Sequence, residues 1–312
     1  MTPFSCAYAV AMVAVLILFF VYFIRNRAEI RRFTRASFVL GAVAVLIDMA
    51  YLGWAGDSLQ LNQDFLVQVF VIDLMLLAKI TLFAAVGIYC CKALGLPSAP
   101  LVLGVFRPGP AQAPAAEELA VEATDEFAVH EIALTDDPLN ADAVVEPKQQ
   151  NWGAAVAWAL AVATGGVAFS YLLFALTKPA LSEMLQELLE TSEASLNQLG
   201  IAMNPTFESI MIVCAFAYGE EILFRLGIQN YLAKTMDLGR SRYWISICIT
   251  AAIWSLAHAN TLDPEWVKFA QILPIGVALG YLFRRFGLEA CILAHGAFNV
   301  AMVFLAPYMI DA

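Results

Sequence analysis

Eight apolar runs constrain this chain most, covering approximately residues 5–24, 36–55, 65–89, 152–176, 207–229, 243–262, 266–283 and 288–309. At about 1.5 Å per residue, some 20 residues of helix cross the roughly 30 Å hydrocarbon layer of a bilayer. Such repetition predicts an all-α fold, a polytopic transmembrane helical bundle of about eight spans. Composition agrees with it. Of 312 residues, 61% are hydrophobic and 14% charged, with a mean hydropathy of +0.74, which leaves too little polar surface to cover a soluble domain of that length. The net charge of −10 comes largely from one soluble segment and one amphipathic stretch, and it offers no basic surface to nucleic acid.

The N-terminus, MTPFSCAYAV, has no basic region before its first apolar run, so a retained helix starting on the non-cytoplasmic side is expected. Eight spans then leave both termini non-cytoplasmic. They also sort thirteen arginines and lysines onto cytoplasmic loops against Lys178 and Lys268 outside, as the positive-inside rule requires. Three regions follow: a three-helix membrane region, 1–92; an acidic, disordered cytoplasmic linker, 93–150, holding ten acidic residues and His130; and a five-helix membrane domain, 151–312. On the opposite side, Leu181, Met184, Leu185, Leu188 and Leu189 share one helical stripe within 180–199, the pattern of an interfacial helix.

The six cysteines, Cys6, Cys90, Cys91, Cys214, Cys248 and Cys291, lie in or beside apolar runs without zinc or disulfide spacing, and read as small core residues. Cys90 and Cys91, beside Lys92, also suit palmitoylation. Asp48, Asp73 and Lys79 form a small polar set in the first three helices, with an interhelical pairing of Asp48 and Lys79 expected.

The fifth run contains AYGEEILFRLG, residues 217–227. Each charge at mid-bilayer costs about 2.5–3.5 kcal/mol on insertion scales, so Glu220, Glu221 and Arg225 need partners. Glu221 and Arg225 are i and i+4 and can pair, whereas adjacent carboxylates are about 100° apart on a helix and do not face one way. That leaves Glu220 as a candidate general base. WSLAHAN supplies His258 in the sixth run, and LAHGAFN supplies His295 and Asn299 one turn apart in the eighth. Isolated groups of these kinds serve as helix glue, but their concentration in three late spans points to chemistry. Counting from the run ends, Glu220 and His295 lie about 10 Å from the cytoplasmic face and His258 about 20 Å from it, which requires one helix, most simply the sixth, to be tilted or broken.

GEEILFR, WSLAH and HGAFN, in this order, resemble the Glu-Glu-x-x-x-Arg, Phe-x-x-x-His and His-x-x-x-Asn motifs of the CAAX prenyl protease and bacteriocin-processing (CPBP) family of intramembrane proteases. The likeness covers roughly residues 205–305, with Trp254 where the family has Phe. The resemblance implies a catalytic role for 151–312 as an intramembrane endopeptidase cutting a membrane-associated peptide or protein near the bilayer. It implies that Glu220 activates water with help from His258, that His295 and Asn299 stabilise the oxyanion, and that Glu221 and Arg225 orient the site. Glu220, His258 and His295 also form the two-His, one-carboxylate set of a zinc site, although no His-Glu-x-x-His helix is present and metal-free catalysis is favoured. A bacterial cell membrane location with the active site facing the cytoplasm is expected. The competing reading is a non-enzymatic scaffold or self-immunity protein of the same fold. A proton-coupled transporter fits less well, because inverted repeats are missing.

Overall fold

The computed structural model describes residues 3–55, 63–100, 151–183, 207–239, 241–259 and 261–310. Every expected apolar run contains helix, although the sixth leaves it after Leu256. Helix α1 spans Pro3–Arg25, α2 is the short Arg27–Ile30, α3 covers Thr34–Ala55, and α4 covers Gln63–Leu94. After α5, Trp152–Thr177, comes α6, Phe207–Glu220, which continues through wide π turns over Glu221–Gln229 into α7, Asn230–Thr235. Then follow α8, Trp244–Leu256; α9, Glu265–Phe286; and α10, Leu288–Leu305.

Among the described residues, five helical segments are long and apolar enough to cross a membrane: Arg27–Ala50, Val69–Leu94, Trp152–Thr177, Glu265–Phe286 and Leu288–Leu305. The fold is thus the expected all-α polytopic bundle. Three of the eight expected runs stand outside these five, one of them holding the shorter apolar helix Val10–Arg25. Helix α8 has only 13 residues, and the α6 run carries its charges into the π turns. Outward faces are apolar, with Leu46, Phe70, Leu172 and Leu176 exposed, as lipid contact allows and water does not favour.

Inside, packing is set by aromatic rings and by small residues. Phe19 of α1 meets Phe83 of α4 and Tyr231 of α7, each at 4.4 Å between ring centroids. Ala155, Ala159, Ala163 and Gly166 form a small-residue stripe on α5, and a Cβ at Gly166 would come within 3.1 Å of the Phe298 ring on α10. Without a hydrophobic driving force between helices in lipid, such close approach supplies the van der Waals contact that associates them. At Gly87, α4 packs against the backbone carbonyl of Leu226 in the π turns, where any side chain would collide.

The expected linker begins as packed chain. Ser98 and Ala99 are buried, and the Ser98 carbonyl accepts from the N–H of Leu288 at 2.7 Å. Gly287 adopts φ 86°, a left-handed value that favours glycine, with Ser98 and Pro100 against it. Residues 101–150, including His130, and positions 184–199 of the interfacial stripe lie outside the described residues.

Two smaller expectations are corrected. Cys90 and Cys91 are fully buried, which puts both thiols out of reach of acylation, while Cys248 is exposed on α8 and is no core residue. Asp48 interacts electrostatically with Asp73 across α3 and α4, a neighbour that the expected pairing with Lys79 leaves out.

Candidate active site

The site is organised by the change from α to π geometry at Glu221. In π turns each N–H reaches back five residues instead of four, so the helix widens and carbonyls near its end lose their usual partners. Asn230 compensates: its amide donates to the carbonyls of Arg225 and Leu226, both at 2.8 Å. Tyr243 holds Asn230 in turn, its O–H donating to Oδ1 at 2.6 Å, and Gln229 donates to Tyr243 and to the Gly280 carbonyl. These buried polar side chains fix the segment that carries the charges.

Both carboxylates reach His295. Glu221 Oε1 accepts from His295 Nδ1 at 2.8 Å, and Glu220 Oε2 lies 4.0 Å from His295 Nε2. Regular α geometry predicts divergent carboxylates. The helix changes pitch between them, and the ring's two nitrogens point in different directions, so one imidazole bridges both. The expected pair of Glu221 and Arg225 is present, Nε to Oε2 at 3.5 Å, with both side chains fully buried. The Arg225 guanidinium also lies over the Trp254 ring, 4.6 Å from its centroid.

Trp254 links the parts. Its Nε1–H donates to Glu220 Oε2 at 2.6 Å, and its ring meets those of His258 and His295 edge-on at 5.1 and 5.2 Å. The sequence pattern treats this aromatic as a pocket wall; the indole N–H makes it a ligand of the carboxylate, a role phenylalanine cannot fill. Glu220 keeps 29% of its side chain exposed, against 3% for His295.

The sixth run leaves helical geometry just before His258. Helix α8 ends at Leu256, and the N–H groups of Ala257, His258 and Ala259 bond back three residues in a tightened turn. About 20 Å of helix therefore brings His258 only part-way across a bilayer. Non-helical backbone at such depth is tolerated where protein covers it. Here Thr261 donates to the His258 carbonyl, and β2, Leu262–Asp263, pairs antiparallel with β1, Ala180–Leu181. His258 Nδ1–H donates to the Trp254 carbonyl at 3.0 Å, and the ring interacts electrostatically with Glu220 and His295.

Asn299 is engaged between helices through one of its two amide N–H groups. Its amide donates to the Val213 carbonyl at 3.3 Å, tying α10 to α6. For zinc, the described residues contain no group of three His, Cys, Asp or Glu placed to hold a metal ion, so Glu220, His258 and His295 as packed do not make that site.

Residues 202–301 match the family described as Rce1-like, type II CAAX prenyl endopeptidases. This segment is similar to the Rce1-like family. It contains Glu220, Glu221, Arg225, Trp254, His258, His295 and Asn299, and the expected motif order stands within it. Over 86 residues the chain is 29% identical to the sporulation-killing factor biosynthesis protein SkfC of Bacillus subtilis (strain 168), a stretch that is 27% of this chain and 16% of that protein. No solved structure matches. With several apolar helices around the Rce1-like segment, the chain is an integral membrane protein.

Sequence reasoning missed Lys268, which charge counting assigns to an outside loop. It lies in α9 and interacts electrostatically with Glu220 and His258. Its apolar neighbours in the chain conceal it, because nothing in EWVKFAQ marks a site.

Proposed function

We propose that this protein is a membrane-embedded endopeptidase that hydrolyses a peptide bond of a membrane-associated peptide or protein, with Glu220 as general base. One observation carries this reading: a partly exposed carboxylate is held by the Trp254 N–H at 2.6 Å and faces a histidine nitrogen at 4.0 Å. That separation is too long for a direct hydrogen bond and suits a water molecule shared between them. The remaining charges are neutralised behind it by Glu221 and Arg225.

In the proposed reaction, water sits against Glu220 Oε2 and its proton passes to that carboxylate. The water oxygen forms a bond to the carbonyl carbon, and the carbonyl pair moves onto oxygen as an oxyanion. When the oxyanion collapses, the C–N bond breaks and the proton on Glu220 passes to the leaving nitrogen. His258 and His295 border the water. Their Nδ1 protons are given to the Trp254 carbonyl and to Glu221, so Nε2 is the ring nitrogen left to each for the water. An opening to the cytoplasm is supported by the distribution of arginine and lysine.

The test is Glu220→Gln in the purified full chain, assayed in detergent micelles against a quenched-fluorescence peptide pool. Cleavage should fall to background while the thermal transition is retained, and undiminished cleavage would refute the assignment.

A further inference from the structure

Lys268 is held by a buried chain of hydrogen bonds that contributes nothing to the apolar core. Its Nζ donates to Gln271 Oε1 at 2.9 Å, Gln271 Nε2 donates to Ser170 Oγ at 2.9 Å, and the Ser170 O–H donates to the Gly166 carbonyl at 2.8 Å. The direction of this chain is fixed by its end. A carbonyl only accepts, so Ser170 must spend its proton on Gly166 and accept from Gln271; the amide is then turned with its oxygen toward Lys268. Gln271 and Ser170 are both buried, where an unsatisfied amide or hydroxyl is costly. Two helices, α5 and α9, thus cooperate to place one ammonium on the side of the bundle where Glu220 and His258 lie.

Several other donors near Glu220 are engaged: Trp254 Nε1–H is on Glu220 itself, His295 Nδ1–H on Glu221, His258 Nδ1–H on the Trp254 carbonyl, and one of the two Asn299 amide N–H groups on Val213. The Arg225 guanidinium nitrogens have no hydrogen-bond partner among the described residues, but the side chain is fully buried between Glu221 and the Trp254 face. An ammonium has three N–H donors, of which Gln271 takes one.

We propose that Lys268 donates to the oxyanion that forms on the substrate carbonyl, with Gln271 and Ser170 as the residues that position its ammonium. The inference rests on the hydrolytic reading and deepens it. It moves the main electrostatic stabilisation of the intermediate from His295 and Asn299 on α10 to Lys268 on α9.

The experiment uses the full chain in detergent, with Lys268→Met, Lys268→Arg, Gln271→Leu, Asn299→Ala and Glu220→Gln measured side by side. Two probes are applied: the quenched-fluorescence peptide pool, and a peptidyl phosphonate whose tetrahedral anion mimics the intermediate. Removing one oxyanion donor typically lowers kcat by about 10²–10³-fold, and Lys268→Met should lose kcat on that scale with KM little changed. Lys268→Arg should recover part of it, Gln271→Leu should lower kcat less than Lys268→Met, and Asn299→Ala should cost less than Lys268→Met. Phosphonate binding should weaken in Lys268→Met while binding of an uncleavable peptide amide does not. A folded Lys268→Met protein with wild-type kcat and phosphonate affinity beside an inactive Glu220→Gln overturns the inference alone. An active Glu220→Gln overturns the hydrolytic reading beneath it. Should Lys268→Met not fold, Lys268→Arg and Gln271→Leu decide in its place: unchanged kcat and phosphonate affinity in both overturn the inference.

Discussion

At the scale of single residues, Trp254 does three things that its position in the chain does not announce. It donates to Glu220, carries the Arg225 guanidinium on one face, and separates the two histidine rings. Replacing it by phenylalanine keeps an aromatic of nearly the same shape but leaves Glu220 without its donor. A hydrogen bond to a charged group contributes about 1.5–3 kcal/mol. Trp254→Phe should therefore retain its fold, read by an unchanged elution profile and a small shift in thermal transition, and lose roughly tenfold or more in kcat/KM at about 1.4 kcal/mol per decade. Wild-type kcat/KM in that variant would show that the indole N–H has no part in the reaction. The pairing of Glu221 with Arg225 was legible from i,i+4 spacing, because it depends on one helix alone. The second contact of Glu221, with His295, was not, because it depends on where α10 packs.

Among the elements, the π turns over Glu221–Gln229 decide the site. Widening the helix lets α4 approach so closely that Gly87 touches the Leu226 carbonyl, and Gly227 lies under Phe83. Gly87→Ala puts a methyl group into that backbone. Overpacking of this kind costs about 1–3 kcal/mol, and here the strain falls on the segment bearing Glu220 and Glu221. The variant should show a lowered thermal transition together with a reduced kcat, whereas Gly219→Ala, at a position with open space around its Cβ, should leave the transition unchanged. Equal behaviour of the two variants would sever the link between α4 packing and the site. Sequence periodicity could not foresee the π turns. An apolar helix of nine or ten residues reads alike at 3.6 or 4.4 residues per turn, and only Asn230 and Tyr243, brought together by the turn between α7 and α8, stabilise the wider form.

For the whole molecule, the positive-inside distribution predicts which end of the bundle meets the cytoplasm. Single cysteines in a background without native ones provide the check: Arg242→Cys should react with a membrane-impermeant maleimide only from the cytoplasmic side, and Lys178→Cys only from the other. The reverse labelling would invert the bundle and the proposed opening with it. The bundle itself was legible in the sequence, since lipid leaves a long apolar chain no solution but helices that bond their own backbone. Short helices were the exception. Helix α8 ends early because its tightened turn and the β1–β2 pairing satisfy the backbone beyond Leu256, and these partners come from the far side of α5.

The sequence alone determined that this chain is an all-α membrane bundle, that Glu221 and Arg225 neutralise each other, and that Glu220, His258, His295 and Asn299 are its candidate reactive groups. Local rules suffice for these, because hydrophobic run length and helical spacing act within one segment. Tertiary structure decided that Trp254 holds Glu220, that Asn299 is bonded to Val213, that both carboxylates meet His295, and that Gln271, which holds Lys268, is bonded to Ser170 of α5. Each of those facts is a contact between helices distant in the chain, where side-chain direction is set by packing, and no periodicity within a single helix records it.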